Sequence, residues 1–213
     1  MPRVSIIISL LFTSAQGLAS DRLTPAQTKK LDGWEVIHLK QARTPEGFLA
    51  QMAVVVPDTP EATTYALMQI DKYKHFMPHF KDSRLVKTRG STVYAVIETK
   101  LPWPVRDAWV YLKASHKHLG GRRYAAGWKM LNGTMKYYSG AASLSPWRNG
   151  PHHTLVVLTT VAALNTAAPD SLVSRGVASV TSMFLHRLRM RVVALRQFKK
   201  LPGDLQKRLR ETP

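Results

Sequence analysis

The chain contains no cysteine, and acidic residues are scarce: 13 Asp and Glu stand against 31 Lys and Arg among 213 residues, giving a formal net charge of +18. The missing cysteines exclude disulfides, thiolate metal sites and cysteine nucleophiles. The excess positive charge favours polyanionic partners, such as nucleic acid, anionic lipid headgroups or lipopolysaccharide. The length and the 45% hydrophobic share fit one domain with a substantial core.

The sequence also lacks any hydrophobic run of the roughly 20 residues that a membrane-spanning helix needs. Its first apolar run, residues 4–12, is about half that length, follows Arg3 and precedes the small residues 17–19. This arrangement is typical of a secretory signal peptide. We therefore expect a signal peptide at residues 1–19 and a periplasmic or secreted protein, with no nucleic-acid partner. A buried N-terminal helix is the alternative for this segment.

Several motifs of enzymes and metalloproteins are absent. There is no G-x-S-x-G elbow, no P-loop and no G-x-G-x-x-G fingerprint. His75 and His79 have helical i, i+4 spacing, but Pro78 interrupts that helix, and a zinc site needs three or four converging ligands. The sequence thus predicts no catalytic residue, no metal site and no cofactor.

The first part of the domain reads as a polar lead-in, two strands and two short helices. The lead-in covers residues 20–32, and the strand-like runs are 34–41 and 48–56, around a turn signal at 44–47. Thr59 followed by Pro60 is typical of a helix start, with Thr59 as the N-cap. A second short helix is expected to end at Pro78.

Roughly six short strands with turn residues between them follow, which favours an antiparallel meander. The expected strands are 83–88, 92–100, 105–116, 124–131, 134–144 and 153–164. Gly120-Gly121 predicts one turn, and Asn132-Gly133 predicts a tight hairpin.

The last regular element is a long amphipathic helix that begins at Pro169-Asp170-Ser171. Its apolar residues recur every three or four positions: Val173, Val177, Val180, Phe184, Leu188, Val192 and Leu195. It should run for about 28 residues, or about 42 Å. Residues 201–213 form a basic C-terminal tail.

Three segments carry a family resemblance. They are the two-proline stretch Lys100-Leu101-Pro102-Trp103-Pro104-Val105-Arg106-Asp107-Ala108-Trp109-Val110, the segment 71–78 ending in Met-Pro, and Gly140 to Pro146 with its G-x-x-x-L-x-P pattern. In this order the chain resembles the START and polyketide-cyclase superfamily of helix-grip (SRPBCC) proteins. The resemblance implies an α+β fold at residues 33–200: a curved antiparallel sheet wrapped around a long C-terminal helix, with two short helices after the second strand.

The resemblance further implies an internal apolar cavity that holds a lipid such as a sterol or phospholipid. The residues expected to line it are Val110, Leu112, Tyr124, Trp128, Met130, Val177, Val180, Phe184 and Leu188. Plain core packing is the alternative for each of them. Glu98, near the place where some relatives bury an acidic residue, is expected to face solvent.

Basic residues suggest a membrane partner for a monomeric, non-enzymatic lipid carrier. We expect docking on an anionic membrane by Arg122, Arg123, Leu131, Lys199 and Lys200. Two alternatives remain. The protein could be an enzyme of the same fold, an aromatase/cyclase or a lipid-modifying enzyme, for which the polar candidates are Tyr94, Glu98, His116 and Tyr137. It could also be a basic module that binds an anionic envelope polymer.

Overall fold

A computed structural model describes residues 23–101, 107–148 and 150–199. Several sequence-based expectations fall outside these ranges. They are the signal peptide (1–19), the basic tail (201–213), Lys200 and residues 102–106 of the proline-rich motif.

Eight strands form one antiparallel sheet in the order β1-β2-β8-β7-β6-β5-β4-β3. Their bounds are β1 Ile37–Thr44, β2 Gly47–Val56, β3 Phe80–Arg89, β4 Thr92–Thr99, β5 Ala108–Gly120, β6 Arg123–Gly133, β7 Tyr137–Trp147 and β8 Gly150–Ala163. Strands β3 to β8 are the predicted six-strand meander. The first hairpin joins it at β8, where β2 pairs from Phe48↔Ala162 to Val56↔Thr154.

The helices are α1 (Pro25–Asp32), α2 (Pro60–Met68), α3 (Tyr73–Phe76) and α4 (Asp170–Lys199). The predicted start of α2 is confirmed, because the Thr59 side chain accepts a hydrogen bond from the backbone N–H of Ala62 and Pro60 opens the helix. The second short helix is reduced to a 3-10 turn at Ile70–Lys72 followed by the single turn of α3. With the long α4 after the sheet, the α+β helix-grip architecture is confirmed.

Two local predictions were wrong. Strand β1 begins at Ile37 and not at Trp34, because Trp34 adopts a left-handed backbone (φ 65°) just after α1 ends. Asn132-Gly133 does not form a tight hairpin: β6 continues through Gly133, which pairs with Val110 of β5. A Cβ at Gly133 would lie 2.4 Å from the Trp109 carbonyl oxygen, so this glycine permits close contact between strands.

The sheet has an inner face, which packs against α4, and an outer face. The first inner cluster joins β2 and β8 to α4, and includes Met52, Val54, Leu158, Leu185 and Leu188. These side chains are almost completely buried. In β2 and β8 the even-numbered residues point inward, as the alternation of a strand requires.

A second inner cluster lies at the other side of the sheet and an outer cluster lies behind it. The second inner cluster is formed by Ile70, Tyr73, Met77, Ala95, Ile97, Val110, Leu112 and Ala114. The outer cluster places Leu31 of α1 against Val55, Trp147 and Leu155 on the outer face. Among the described residues, no helix is both long and apolar enough to cross a bilayer.

The buried stripe of α4 differs slightly from the predicted one. Its buried residues are Val173, Val177, Ala178, Thr181, Leu185, Leu188 and Val192. Leu185, which the sequence pattern did not select, is 0% exposed, whereas Val180 and Phe184 are half-buried. The helix therefore turns the Leu185 side toward β2 and β8 and leaves Phe184 toward the middle of the sheet.

Leu185→Ala should destabilise the fold by about 2–5 kcal/mol, because the lost side chain leaves a cavity in the sealed part of the core. Met190→Ala on the same helix is the control, since Met190 is 51% exposed and its loss should cost less than about 0.5 kcal/mol. Urea unfolding followed by circular dichroism measures both. Equal effects of the two substitutions would contradict this assignment of the buried stripe.

Candidate functional site

The space between α4 and the sheet is sealed on one side and accessible on the other. Helix α4 packs mainly on β2, where Leu185 and Leu188 are fully buried. Toward β6 and β7 the inner-facing Trp128 and Tyr138, together with Phe184 of α4, are only half-buried. Helix α4 therefore covers the inner face less completely around these three side chains than along β2 and β8. We call this region the helix–sheet gap.

Five half-buried side chains line the helix–sheet gap, because each packs against both inner clusters: Met68, Trp128, Met135, Tyr138 and Phe184. They come from α2, β6, the β6–β7 loop, β7 and α4. Such a lining is mostly apolar and aromatic with a few polar atoms, which is the usual character of small-molecule sites. A guest that fills it would gain about 25 cal/mol for each Å² of apolar surface removed from water.

Trp128 owes its position to a glycine on the neighbouring strand. Trp128 and Gly140 are directly opposite each other in the β6–β7 pair. A Cβ atom on Gly140 would lie 2.1 Å from Cζ2 and 2.5 Å from Cε2 of the indole ring. The indole therefore lies across the glycine and close to the sheet. Any larger residue at position 140 would push the ring into the helix–sheet gap.

Two tyrosines and the indole of Trp128 supply polar atoms to this apolar region. The ring centroids of Trp128 and Tyr138 are 6.5 Å apart. Trp128 Nε1 is buried and has no hydrogen-bond partner among the described residues. Burial raises the pKa of Tyr138 to about 12, and the nearby indole N–H of Trp128 offsets part of that rise. Burial also raises the pKa of Tyr73, whose hydroxyl donates to the Leu67 carbonyl oxygen at 2.5 Å.

The structure places eight of the nine expected cavity residues in or against the two inner clusters. Tyr124, Val177 and Leu188 belong with the first, Val110, Leu112 and Met130 with the second, and Trp128 and Phe184 contact both. Val180 is half-buried on α4 and belongs to neither cluster.

Sequence reasoning missed three residues that line the gap. Tyr138 could have been found, since it alternates with Gly140 and Ala142 on the inner face of β7. Met68 lies at the end of the predicted α2, where a helical pattern does not show which neighbours it meets. Met135 lies between β6 and β7 and carries no periodic signal.

Most polar residues that an enzyme of this fold could have used lie on the outer face. Glu98 is partly exposed, with its Oε1 3.7 Å from Lys81 Nζ, as expected for a solvent-facing residue. The Tyr94 ring lies 4.6 Å from Lys87 Nζ, and the Tyr137 hydroxyl accepts a hydrogen bond from Ser139.

His116 is the exception among these polar candidates. It alternates with Ala114 on the inner side of β5, and its buried Nδ1 has no partner among the described residues. Within the described ranges, no group of three His, Asp or Glu side chains could hold a metal ion.

Three of the expected membrane-docking residues have described side chains, and these lie at two ends of one strand. Arg122 and Arg123 lie at the β5–β6 turn, whereas Leu131 lies near the other end of β6. Arg123 and Leu131 are eight positions apart on the strand, or about 27 Å at 3.4 Å per residue. Lys199 is the last described residue of α4, and its side chain is not described.

Exposed apolar side chains surround the end of the sheet where Leu131 lies. Leu131 and Leu172 are each 45% exposed, and Trp109 is 40% exposed. The β6–β7 loop lies beside the end of β8 here, since the Lys136 N–H donates to the Ala163 carbonyl oxygen at 2.9 Å. Met135 of the first loop packs against both inner clusters. This end of the molecule, which we call the loop end, is therefore next to the helix–sheet gap.

A separate concavity of about 270 Å³ lies on the outer face, between α1 and the β7–β8 turn. Trp34, Trp147 and His153 line it, and the Asp32 carboxylate there accepts hydrogen bonds from Trp147 Nε1 (3.0 Å) and from the Arg148 guanidinium. The Asp32 carboxylate is thus already paired with Trp147 and Arg148. It is on the opposite side of the sheet from the helix–sheet gap.

Solved structures with the same architecture identify the fold. Human StAR-related lipid transfer protein 5 matches with a TM-score of 0.66 at 11% identity, over 90% of this chain and 99% of that one. The STAR-related lipid transfer protein from Xanthomonas axonopodis matches with a TM-score of 0.63 at 15% identity, over 74% and 92%. The chain has the START-like helix-grip fold. No family model and no curated protein sequence matches it.

One further START-like neighbour is an enzyme. The Zhui aromatase/cyclase from Streptomyces sp. R1128 matches with a TM-score of 0.55 at 10% identity, over 74% of this chain and 94% of that one. At these identities the matches establish the fold, and the START-like fold alone does not separate a carrier from an enzyme.

Gly140→Ala should destabilise the START-like domain by about 1–3 kcal/mol, because the new methyl group clashes with the Trp128 ring and forces it off the sheet. Gly176→Ala is the matched control, since a Cβ there meets nothing within 4 Å and a helical Gly-to-Ala change should stabilise by about 0.5–1 kcal/mol. Urea unfolding gives both values. A neutral Gly140→Ala would contradict the close contact between Trp128 and this strand.

Proposed function

We propose that this protein is exported, binds a hydrophobic lipid in the helix–sheet gap and carries it between membranes. The observation that supports this most is the set of half-buried apolar side chains between the two inner clusters. A closed core would bury these residues as completely as it buries Leu185 and Leu188. Their remaining accessible surface is where an apolar guest would replace water.

The START-like neighbours support lipid binding as the general role. Two of the matched chains are lipid transfer proteins by name, from a human and a bacterial source. Export rests on the signal-like pattern of residues 1–19 in the sequence.

The enzyme alternative has less support from the described residues. Among its four polar candidates, Tyr94, Glu98 and Tyr137 lie on the outer face of the sheet, away from the gap. Only His116 remains on the inner side, and general acid–base catalysis normally needs a partner group within hydrogen-bond reach. The aromatase/cyclase neighbour keeps this alternative relevant, and turnover of a bound lipid is the result that would favour it.

Native mass spectrometry of the purified protein, after incubation with a bacterial envelope lipid extract, tests the proposal. We expect a bound lipid on the wild type and its loss in Met68→Trp, because the larger side chain enters the gap from α2. Met190→Trp, at an exposed position of α4, is the control and should retain the lipid. A folded wild type that captures no lipid would refute the carrier.

We further propose that the cationic β5–β6 turn draws the protein to anionic membranes. Replacing Arg122 and Arg123 with Glu should weaken binding to anionic vesicles by about 30-fold or more, since each cation contributes about 1 kcal/mol near such a surface. Replacing Lys29 and Lys30, an exposed cation pair on α1, with Glu is the charge-matched control. Co-sedimentation measures binding.

Two outcomes of the vesicle experiment would contradict the proposal. The first is an equal loss of vesicle binding when Lys29 and Lys30 are replaced, which would show that only the net charge of the protein matters. The second is equal binding of the wild type to neutral and anionic vesicles.

A further inference from the structure

Two hydrogen-bond donors meet inside the helix–sheet gap. Trp128 Nε1–H is buried, and no described residue accepts from it. The Tyr138 hydroxyl lies near enough for the indole N–H to affect its pKa, yet the two groups do not meet the geometry of a hydrogen bond. An unpaired buried N–H has a cost in free energy of folding, because it has lost its hydrogen bond to water. This cost is recovered when an acceptor atom reaches the donor.

The position of the pair within the gap is well defined. Tyr138 and Gly140 are two residues apart on the inner face of β7, and Trp128 lies across Gly140 with its Cε2–Cζ2 edge over that strand. The indole nitrogen is bonded to Cε2, so the N–H belongs to the edge of the ring that lies over β7. Both residues also pack against both inner clusters, so their polar atoms lie where a guest would be.

We propose that Trp128 Nε1–H and the Tyr138 hydroxyl are the polar anchor of the lipid, and that the lipid is an apolar molecule with an uncharged acceptor oxygen, such as an ester carbonyl, a ketone or a hydroxyl. One oxygen atom with two lone pairs can accept from both donors. This inference rests on the proposed function, because it specifies the guest of the same gap.

An uncharged head fits better than a carboxylate for an electrostatic reason. Burial is the main cause of the raised pKa of Tyr138, and no cationic group contributes to that shift. A buried carboxylate without a counter-charge is strongly unfavourable. On α4, Arg191 lies two turns beyond Phe184, or about 10 Å along the helix axis. Its guanidinium lies over the Phe76 ring at 5.9 Å, and its buried Nε has no hydrogen-bond partner among the described residues. A charged headgroup would therefore pair with Arg191 and not with the Trp128–Tyr138 pair.

The test compares three ligands of equal chain length: dodecane, methyl dodecanoate and dodecanoate. Each competes with the uncharged fluorescent dye N-phenyl-1-naphthylamine for the full-length protein at pH 8. We expect methyl dodecanoate to bind the wild type about five- to tenfold more tightly than dodecane, the size of one or two neutral hydrogen bonds. Dodecanoate should bind more weakly than its ester.

Variants identify the donors. Tyr138→Phe should lose about fivefold in affinity for the ester and leave dodecane binding unchanged, since only the hydroxyl is removed. Trp128→Phe should act in the same direction. Tyr94→Phe makes the same chemical change on the outer face and should leave the affinities for all three ligands unchanged. Thermal unfolding shows whether each variant is folded. If Trp128→Phe does not fold, the result for Tyr138→Phe alone decides between the outcomes.

The outcomes test the polar anchor and the lipid-carrier proposal independently. Three outcomes would overturn the anchor while leaving lipid binding intact. They are equal affinity of the wild type for ester and alkane, tighter binding of dodecanoate than of the ester, and an unchanged ester affinity in Tyr138→Phe. Failure of the dye and of all three ligands to bind would contradict the proposed function itself.

Discussion

The packing of α4 against β2 and β8 controls the interior of this molecule. Leu185, Leu188 and Val192 are buried against the inward side chains of those two strands, and this contact holds the helix along one side of the sheet. The sheet is eight strands wide, so a single helix in that position cannot cover it evenly. Among the described residues of α4, Met183 and Phe184 are those that pack against the second inner cluster, which also includes residues of β4, β5 and α3. The helix–sheet gap is the consequence.

The same arrangement explains why aromatic residues gather where they do. A Tyr73–Phe184 contact, with ring centroids 5.3 Å apart, joins α3 to α4 across the second inner cluster. On the opposite wall, the large indole of Trp128 is accommodated only because Gly140 leaves room beneath it. Large side chains thus gather on both sides of the gap, and the polar atoms they bring are placed in an apolar environment where a hydrogen bond is stronger than in water.

The two ends of the long sheet carry different chemistry. The loop end has exposed Leu131, Leu172 and Trp109, and lies beside Met135 of the gap. The opposite end carries Arg122 and Arg123 in the β5–β6 turn. The basic turn and the exposed apolar side chains therefore lie at opposite ends of β6. Net charge alone, which is a property of the whole chain, does not reveal this division.

Local sequence signals were enough to predict the order of helices and strands and the face of the sheet to which each strand residue points. The Thr59 cap, the turn residues of the meander and the 3.6-residue period of α4 depend on neighbours in the chain, so they were readable without coordinates. Asn132-Gly133 misled because a glycine can serve close strand contact as well as a turn. Only the tertiary structure decided which inward residues are sealed and which line the gap, such as Tyr138 and Met135. Alternation shows the face to which a side chain points, whereas its burial depends on what a distant helix places above it.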